Sequence, residues 1–205
     1  MINTCSKCGN TRADKIIDKE RSIVICPECG QEETFKFAPL YLIGGAGGCG
    51  KTAVCKALIG KTDDIIPIDG DILWGNNRFS IENPLDFYEA WLRICKNISQ
   101  TGKRVALFHA GAGTPSNIIP CLENRYFSDI HYLGFYCSDE ELKKRLIKRR
   151  TAGGFATDSF IESMQNLNHF WRDYDNVEIP MAKIDTTELT VNEVANNVLL
   201  WLKSK

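Results

Sequence analysis

The chain has 205 residues, 43% of them hydrophobic, enough to bury one sizeable core and carry a small appendage. Its 25 Lys and Arg balance 26 Asp and Glu, so it lacks the general positive surface of a protein that coats nucleic acid. No stretch reaches the roughly 18 consecutive apolar residues of a membrane helix and no signal peptide opens the sequence, so a cytoplasmic protein is expected.

Four of the nine cysteines stand as Cys5-x-x-Cys8 and Cys26-x-x-Cys29, with 17 residues between the pairs, the spacing of a four-cysteine zinc site. Gly9 and Gly30 each follow the second cysteine of a pair, where a tight knuckle needs relaxed φ. "KIIDKERSIVIC" and "ETFKF" have the character of short strands, so residues 1–38 are expected to form a small β zinc ribbon. Four thiolates leave no open position, which makes the metal structural; the alternative is two redox dithiols. The segment carries six basic and six acidic residues, and Zn²⁺ with four thiolates adds about −2 by charge counting. Such a module has little counterion release to offer a phosphate backbone, so a protein-contact or stabilising role is favoured over nucleic-acid binding.

Ala38 and Pro39 join this segment to the rest. Leu40 to Ile43 reads as a buried strand, and Gly45 to Thr52 then reads G-A-G-G-C-G-K-T, a full phosphate-loop pattern, with a helix from Thr52 to Ile59. The glycines let backbone N–H groups converge on phosphate oxygens, so Gly45, Ala46, Gly47, Gly48, Cys49 and Gly50 are candidate nucleotide ligands. Lys51 would reach the β- and γ-phosphates, and the Thr52 hydroxyl would ligate Mg²⁺. Cys49 reads as a small filler, or as an oxidation-sensitive thiol beside positive charge.

Further along, Ile65 to Ile68 is a second strand ending in Asp69-Gly70-Asp71. A helix around Leu85 to Ile98 leads to a third strand, Val105 to His109, and Ile130 to Cys137 is a fourth. "DEELKKRLIKRR" is a helix with acids at its start and bases at its end, as the macrodipole prefers. "TAGGFATDSF" has the glycines of a moving lid around 145–170, and "FIESMQNLNHFW" returns as a helix. A fifth strand, "MAKID", and an amphipathic helix, Val191 to Leu202, complete an α/β chain with a doubly wound, parallel, five-stranded sheet in three layers over residues 39–205.

The apolar strand "VALFH" ends in histidine where GTPases and motor ATPases commonly carry a Mg²⁺-associated acid, and the guanine-reading Asn-Lys-x-Asp is absent. The acids sit instead at the end of the second strand as D-G-D. With the arginine-bearing helix and the late D-T-T, that order resembles the small-metabolite and nucleotide kinases: the shikimate, gluconate, adenylylsulfate and nucleoside monophosphate kinases. The resemblance covers residues 39–205 in layout and implies ATP and Mg²⁺.

It implies roles residue by residue. Asp71 would hold the acceptor hydroxyl and take its proton, and Asp69 would hold a water of the Mg²⁺ shell. Arg145 and Arg149, four apart on one helical face, would reach the transferring phosphate, with Arg150 and Thr187 on the nucleotide. The acceptor pocket should lie between Trp74, Asn76, Asn77 and Arg78 on one wall and His109, Gly111, Gly113 and Asn117 on the other, with Arg78 the candidate for an anionic acceptor. Ser116 stands where nucleoside monophosphate kinases place an arginine, which weighs against a monophosphate acceptor. His169 reads as a packed or surface histidine.

The expected function is therefore an ATP- and Mg²⁺-dependent kinase acting on a small hydroxyl- or phosphate-bearing acceptor, a nucleoside, nucleotide or other metabolite. Two alternatives stay open: a polynucleotide 5′-hydroxyl kinase whose ribbon holds the strand, and a non-catalytic ATP-binding switch whose ribbon docks on a protein partner. A carboxylate at Asp71 aimed at an acceptor has no place in a pure switch.

Overall fold

A computed structural model describes residues 3–73, 83–151 and 156–205. Three short strands come first, β1 (Ile16–Asp18), β2 (Ile23–Ile25) and β3 (Glu32–Thr34), paired antiparallel in the order β1-β2-β3. The main sheet follows: β4 (Leu40–Gly45), β5 (Ile65–Asp69), β6 (Arg104–Phe108), β7 (Ile130–Tyr136) and β8 (Met181–Asp185). Its order is β5-β6-β4-β7-β8 with every pairing parallel, as expected for strands that alternate with helices. The helices are α1 (Lys51–Leu58), α2 (Pro84–Ser99), α3 (Ala110–Gly113), α4 (Pro115–Ile118), α5 (Asp139–Thr151), α6 (Asp158–Asp173) and α7 (Val191–Lys203). No helix among the described residues is long and apolar enough to cross a membrane.

Strand β4 is central, and its residues Leu40 to Ile43 are wholly buried because both faces are covered. Tyr41 and Ile43 face a cluster with α1, α5 and α7 through Val54, Leu58, Leu146 and Val198, while Leu40 and Leu42 face Phe87, Trp91 and Cys95 of α2. This alternation gives the three layers. The sharpest packing lies at the top of β4 and β7. Gly44 pairs with Gly134, and the buried Trp171 of α6 lies across both. A Cβ on Gly44 would lie 2.0 Å from Trp171 Cη2, and one on Gly134 would lie 2.9 Å from its Cε3. Two glycines in one register thus make the floor on which the indole brings α6 against the sheet.

The small sheet packs through Val24 and Phe35 onto Tyr126, in a 3₁₀ turn between α4 and β7. The Tyr126 hydroxyl donates to the Ala13 carbonyl and accepts the Lys15 N–H at 3.2 Å. Gln100 completes the contact: its side chain accepts from the Lys36 N–H at 2.9 Å and donates to the Lys36 carbonyl at 3.0 Å. Beneath Tyr126, Lys96 Nζ lies 4.1 Å from the ring centroid and 2.5 Å from the buried carboxylate of Glu123, which also accepts from Arg93 at 2.8 Å. Tyr126 and Gln100 lie a few residues before β7 and β6 begin, so this contact is made at the end of the sheet where strands start. The phosphate loop is at the end where they finish.

The chain after β6 forms the two short helices α3 and α4. His109 caps α3 by accepting the Ala112 N–H at Nδ1, 3.0 Å away, and Pro115 opens α4 with its φ already set.

Candidate active site

Four sulfur atoms, those of Cys5, Cys8, Cys26 and Cys29, lie within 4.8 Å of one another, with Cys5 to Cys29 at 3.6 Å and Cys8 to Cys26 at 3.7 Å. Tetrahedral zinc, with Zn–S near 2.3 Å, sets its sulfurs about 3.8 Å apart, so the donor set and its size fit such an ion. Both knuckles close as expected, Gly9 N–H donating to Cys5 O and Gly30 N–H to Cys26 O, at 2.9 and 3.0 Å. The cluster could hold a structural metal.

The phosphate loop leaves β4 and enters α1. Gly45 has φ 145°, and a Cβ there would lie 2.8 Å from the Phe135 carbonyl oxygen; Gly50 starts α1 in the left-handed region at φ 95°. Lys51 is buried, and its ammonium donates to the carbonyls of Gly45 at 2.8 Å and Ala46 at 3.2 Å. Burial lowers its pKa, opposed by the nearby charges of Asp71 and Asp69. Thr52 is exposed on the first turn of α1. Cys49 is fully buried. The Cys137 thiol beside it and burial hold its own thiol protonated, so it is a packed filler rather than a reactive thiolate.

The D-G-D step shapes the opposite wall. Asp69 turns its carboxylate back to accept the Asp71 N–H at 3.1 Å, which holds the loop. Gly70 is buried, and a Cβ there would lie 2.7 Å from His109 Cβ; the missing side chain lets the ends of β5 and β6 meet. Asp71 Oδ1 is then 3.7 Å from His109 Nε2. Because Nδ1 of His109 accepts a backbone N–H, the neutral ring carries its proton on Nε2, toward Asp71. Burial pushes the His109 pKa below its ordinary value, against the pull of Asp71, so the neutral form prevails at pH 7.

A cavity of about 790 Å³ joins these walls. Lys51, Gly47 and Arg149 line its phosphate-loop side; Asp71, His109 and Gly111 line the opposite side. Asn117 stands behind this wall, donating to the Gly111 carbonyl at 2.9 Å and to the Tyr88 hydroxyl at 3.2 Å.

Other expected site residues are placed elsewhere. Arg145 does not line the cavity: it is held by Glu141 at 2.9 Å and by the Thr186 carbonyl at 2.7 Å, and the Thr186 hydroxyl donates to the Tyr136 carbonyl at 3.1 Å. Arg145 therefore ties α5 to the turn after β8, while Arg149, one turn further, faces the cavity. Arg150 pairs with Asp158 at 2.9 Å. Thr187 caps the turn after β8, bonded to Asp185 at 2.5 Å and accepting the Ser138 N–H at 2.9 Å. Gly113 is packed against Gly44 rather than open to a ligand, since a Cβ on it would lie 2.5 Å from Gly44 Cα. His169 bonds Asp139 at 2.7 Å, as a packing residue does. Trp74, Asn76, Asn77 and Arg78, and the glycines of the expected lid, lie outside the described residues. Sequence reasoning missed Tyr88, Phe160, Met164 and Leu167, all of which line the cavity. The last three recur at i, i+4 and i+7, a helical face that marks burial without saying against what.

No protein-family model matches the chain, and no curated protein does. Solved structures do. A gluconokinase from Sinorhizobium meliloti 1021 is similar with TM-score 0.57 at 15% identity, covering 82% of this chain and 94% of that one. A sugar kinase from Janibacter sp. HTCC2649 gives 0.61 at 13%, covering 82% and 95%, and an APS kinase from Mycobacterium tuberculosis gives 0.52 at 15%, covering 81% and 98%. At such identities the likeness is one of fold. The chain has the phosphate-loop kinase fold, with a small antiparallel sheet and a four-cysteine cluster before it.

Proposed function

We propose that the protein is a kinase that transfers the γ-phosphoryl group of ATP to the hydroxyl of a small acceptor. The observation that carries this is one cavity lined at once by Lys51, Arg149 and Asp71: two cations suited to a phosphoryl group and a carboxylate suited to an acceptor proton. In the step, the acceptor oxygen forms a bond to the γ-phosphorus, the bond to the β-bridging oxygen breaks, ADP leaves with that electron pair, and the acceptor proton passes to Asp71. Lys51 and Arg149 balance charge on the equatorial oxygens. His109, neutral with its proton on Nε2, lies 3.7 Å from the Asp71 carboxylate and has no free ring nitrogen to compete for the acceptor proton. The hard oxygen donors of Thr52 and Asp69 suit Mg²⁺, which supplies further charge neutralisation on the phosphates.

Residues 1–38 act in this proposal as a zinc ribbon and residues 39–205 as the kinase unit, with the lid around 145–170. Contacts of Val24 and Phe35 with Tyr126, and of Lys36 with Gln100, favour a stabilising ribbon over one that grips a nucleic-acid strand. Zinc-replete protein incubated with γ-labelled ATP, Mg²⁺ and a panel of nucleosides, nucleotides, sugar acids and 5′-hydroxyl oligonucleotides tests the proposal. Transfer to a small acceptor, lost in Asp71→Asn, supports it. Transfer to oligonucleotides alone, or ATP binding with no transfer, refutes it.

A further inference from the structure

Residues 47 to 49 of the phosphate loop are each held by one of the helices α5 and α6. The Gly47 N–H donates to Met164 Sδ of α6 at 3.2 Å, and a Cβ on Gly47 would lie 3.0 Å from that sulfur. Gly47 is outside the left-handed region, so its missing side chain serves the approach of α6 rather than a turn. Gly48 packs on α5, where a Cβ would lie 2.9 Å from Leu142 Cδ1. Cys49 donates its thiol proton to Asn168 Oδ1 of α6 at 3.5 Å. Met164 and Asn168 are four apart, so one face of α6 meets both Gly47 and Cys49. Asn168 is wholly buried and fully bonded: Oδ1 also accepts the Cys137 N–H at 3.1 Å, and Nδ2 donates to the Cys137 carbonyl at 2.7 Å and to Asp139 Oδ1 at 3.3 Å. The backbone of Cys137 thus fixes which way the amide points. This side chain joins the loop, the residue after β7 and the first residue of α5, the helix that carries Arg149.

We infer that Asn168 is a positioning residue for the nucleotide: with Met164 beside it, it holds the phosphate loop in the shape that receives the phosphates and keeps α5 in register with that loop. This rests on the reading above that the loop binds ATP. A glycine-rich loop has many conformations open to it, and one already held in its binding shape loses less entropy when the ligand arrives. The N–H groups of Gly47 and Cys49 are engaged inside the protein, the first by Met164 and the second by the Ala46 carbonyl at 3.2 Å. The grip of α6 therefore falls on residues whose N–H groups are already spent, and the donors at the start of α1 stay open to an anion. The bonds of Asn168 go to Cys49, Cys137 and Asp139, and none goes to the wall formed by Asp71 and His109, so acceptor binding should not sense the residue.

Calorimetric ADP binding to the full, zinc-replete chain, with steady-state kinetics on the acceptor found by the panel above, tests this. Asn168→Leu keeps the volume and removes the four bonds. It should raise the ADP Kd at least about tenfold and lower kcat by about as much, with acceptor KM within about twofold, because the loop is no longer held ready. Gln100→Leu is the control, since it loses the hydrogen bonds to Lys36 at the far end of the sheet. It should lower Tm yet leave ADP Kd and kcat within about twofold of wild type. Met164→Leu keeps the packing and removes only the sulfur acceptor, so ADP Kd should rise about threefold while Tm moves by no more than about 1–2 °C. An ADP Kd within about twofold of wild type in Asn168→Leu overturns the inference and leaves the kinase reading intact. Should that variant fail to fold, an unchanged Kd in Met164→Leu does the same. Equal losses in Gln100→Leu also overturn it, because the effect then follows stability. If wild type binds ADP but transfers phosphate to no acceptor, the kinase reading falls and the Kd values still decide the inference. If wild type binds no ADP, both fall.

Discussion

Two arginines one helical turn apart should separate chemistry from architecture. Arg149 lines the cavity with Lys51 and Asp71, whereas Arg145 is bound to Glu141 at 2.9 Å and to Thr186 at 2.7 and 3.1 Å. Removing a group aimed at developing charge typically costs roughly 10²- to 10³-fold in kcat, so Arg149→Ala should lose about that much. Because Arg149 is exposed, its melting temperature should move by no more than about 1–2 °C, the scatter of surface substitutions. Arg145→Ala instead strips a charged donor from the Thr186 carbonyl. Such hydrogen bonds are worth about 2 kcal/mol, which in a chain of this size lowers Tm by roughly 4–8 °C. Its kcat, read below the transition, should stay within about threefold, because no reacting oxygen is contacted. Steady-state kinetics with the preferred acceptor and thermal unfolding of both variants suffice. If Arg145→Ala abolishes turnover at an unchanged Tm, or Arg149→Ala leaves kcat intact, the assignment of the two side chains is wrong.

Gly44→Ala would set a methyl 2.0 Å from the buried Trp171 ring, and overpacking of this kind should cost about 1–3 kcal/mol in denaturant unfolding. Glu123→Gln would leave Lys96 buried without its counter-charge, and a loss of about 3–5 kcal/mol is expected by the same measurement. The folded-state pKa of His109 lies below 6.5 through burial, so the unfolded chain takes up a proton that the folded chain resists. This contribution to stability is complete above pH 6.5 and falls away below it, by at most about 1.4 kcal/mol per pH unit, and unfolding titrations of His109→Gln should lack that component. Elemental analysis should find one zinc per chain. Chelation should release hydrogen-exchange protection in β2 before β4, because a metal held by the four cysteines would brace the small sheet, whereas the main core is built from other residues.

Much of this molecule is written in local patterns. Cys5, Cys8, Cys26 and Cys29 are set by spacing, because a metal knuckle is built within five residues. Gly45 to Thr52 is set by its glycines and its lysine, because the conformations that cradle a phosphate are open to few other residues. The parallel sheet follows from strands alternating with helices, and the central strand from an unbroken apolar run. What the sequence could not disclose is which side chains meet across the fold. Arg145 and Arg149 look equivalent on a helical wheel, yet one is captured by Thr186 after β8 and the other is left to the cavity. Gly113 and Gly111 are two residues apart in one short helix, and packing gives the first to Gly44 and the second to Tyr88. The apolar face of α6 reads as core from its period alone. Only the seat of Trp171 on Gly44 and Gly134 decides that this face roofs the cavity, because contact across the sheet depends on register between strands that are distant in sequence.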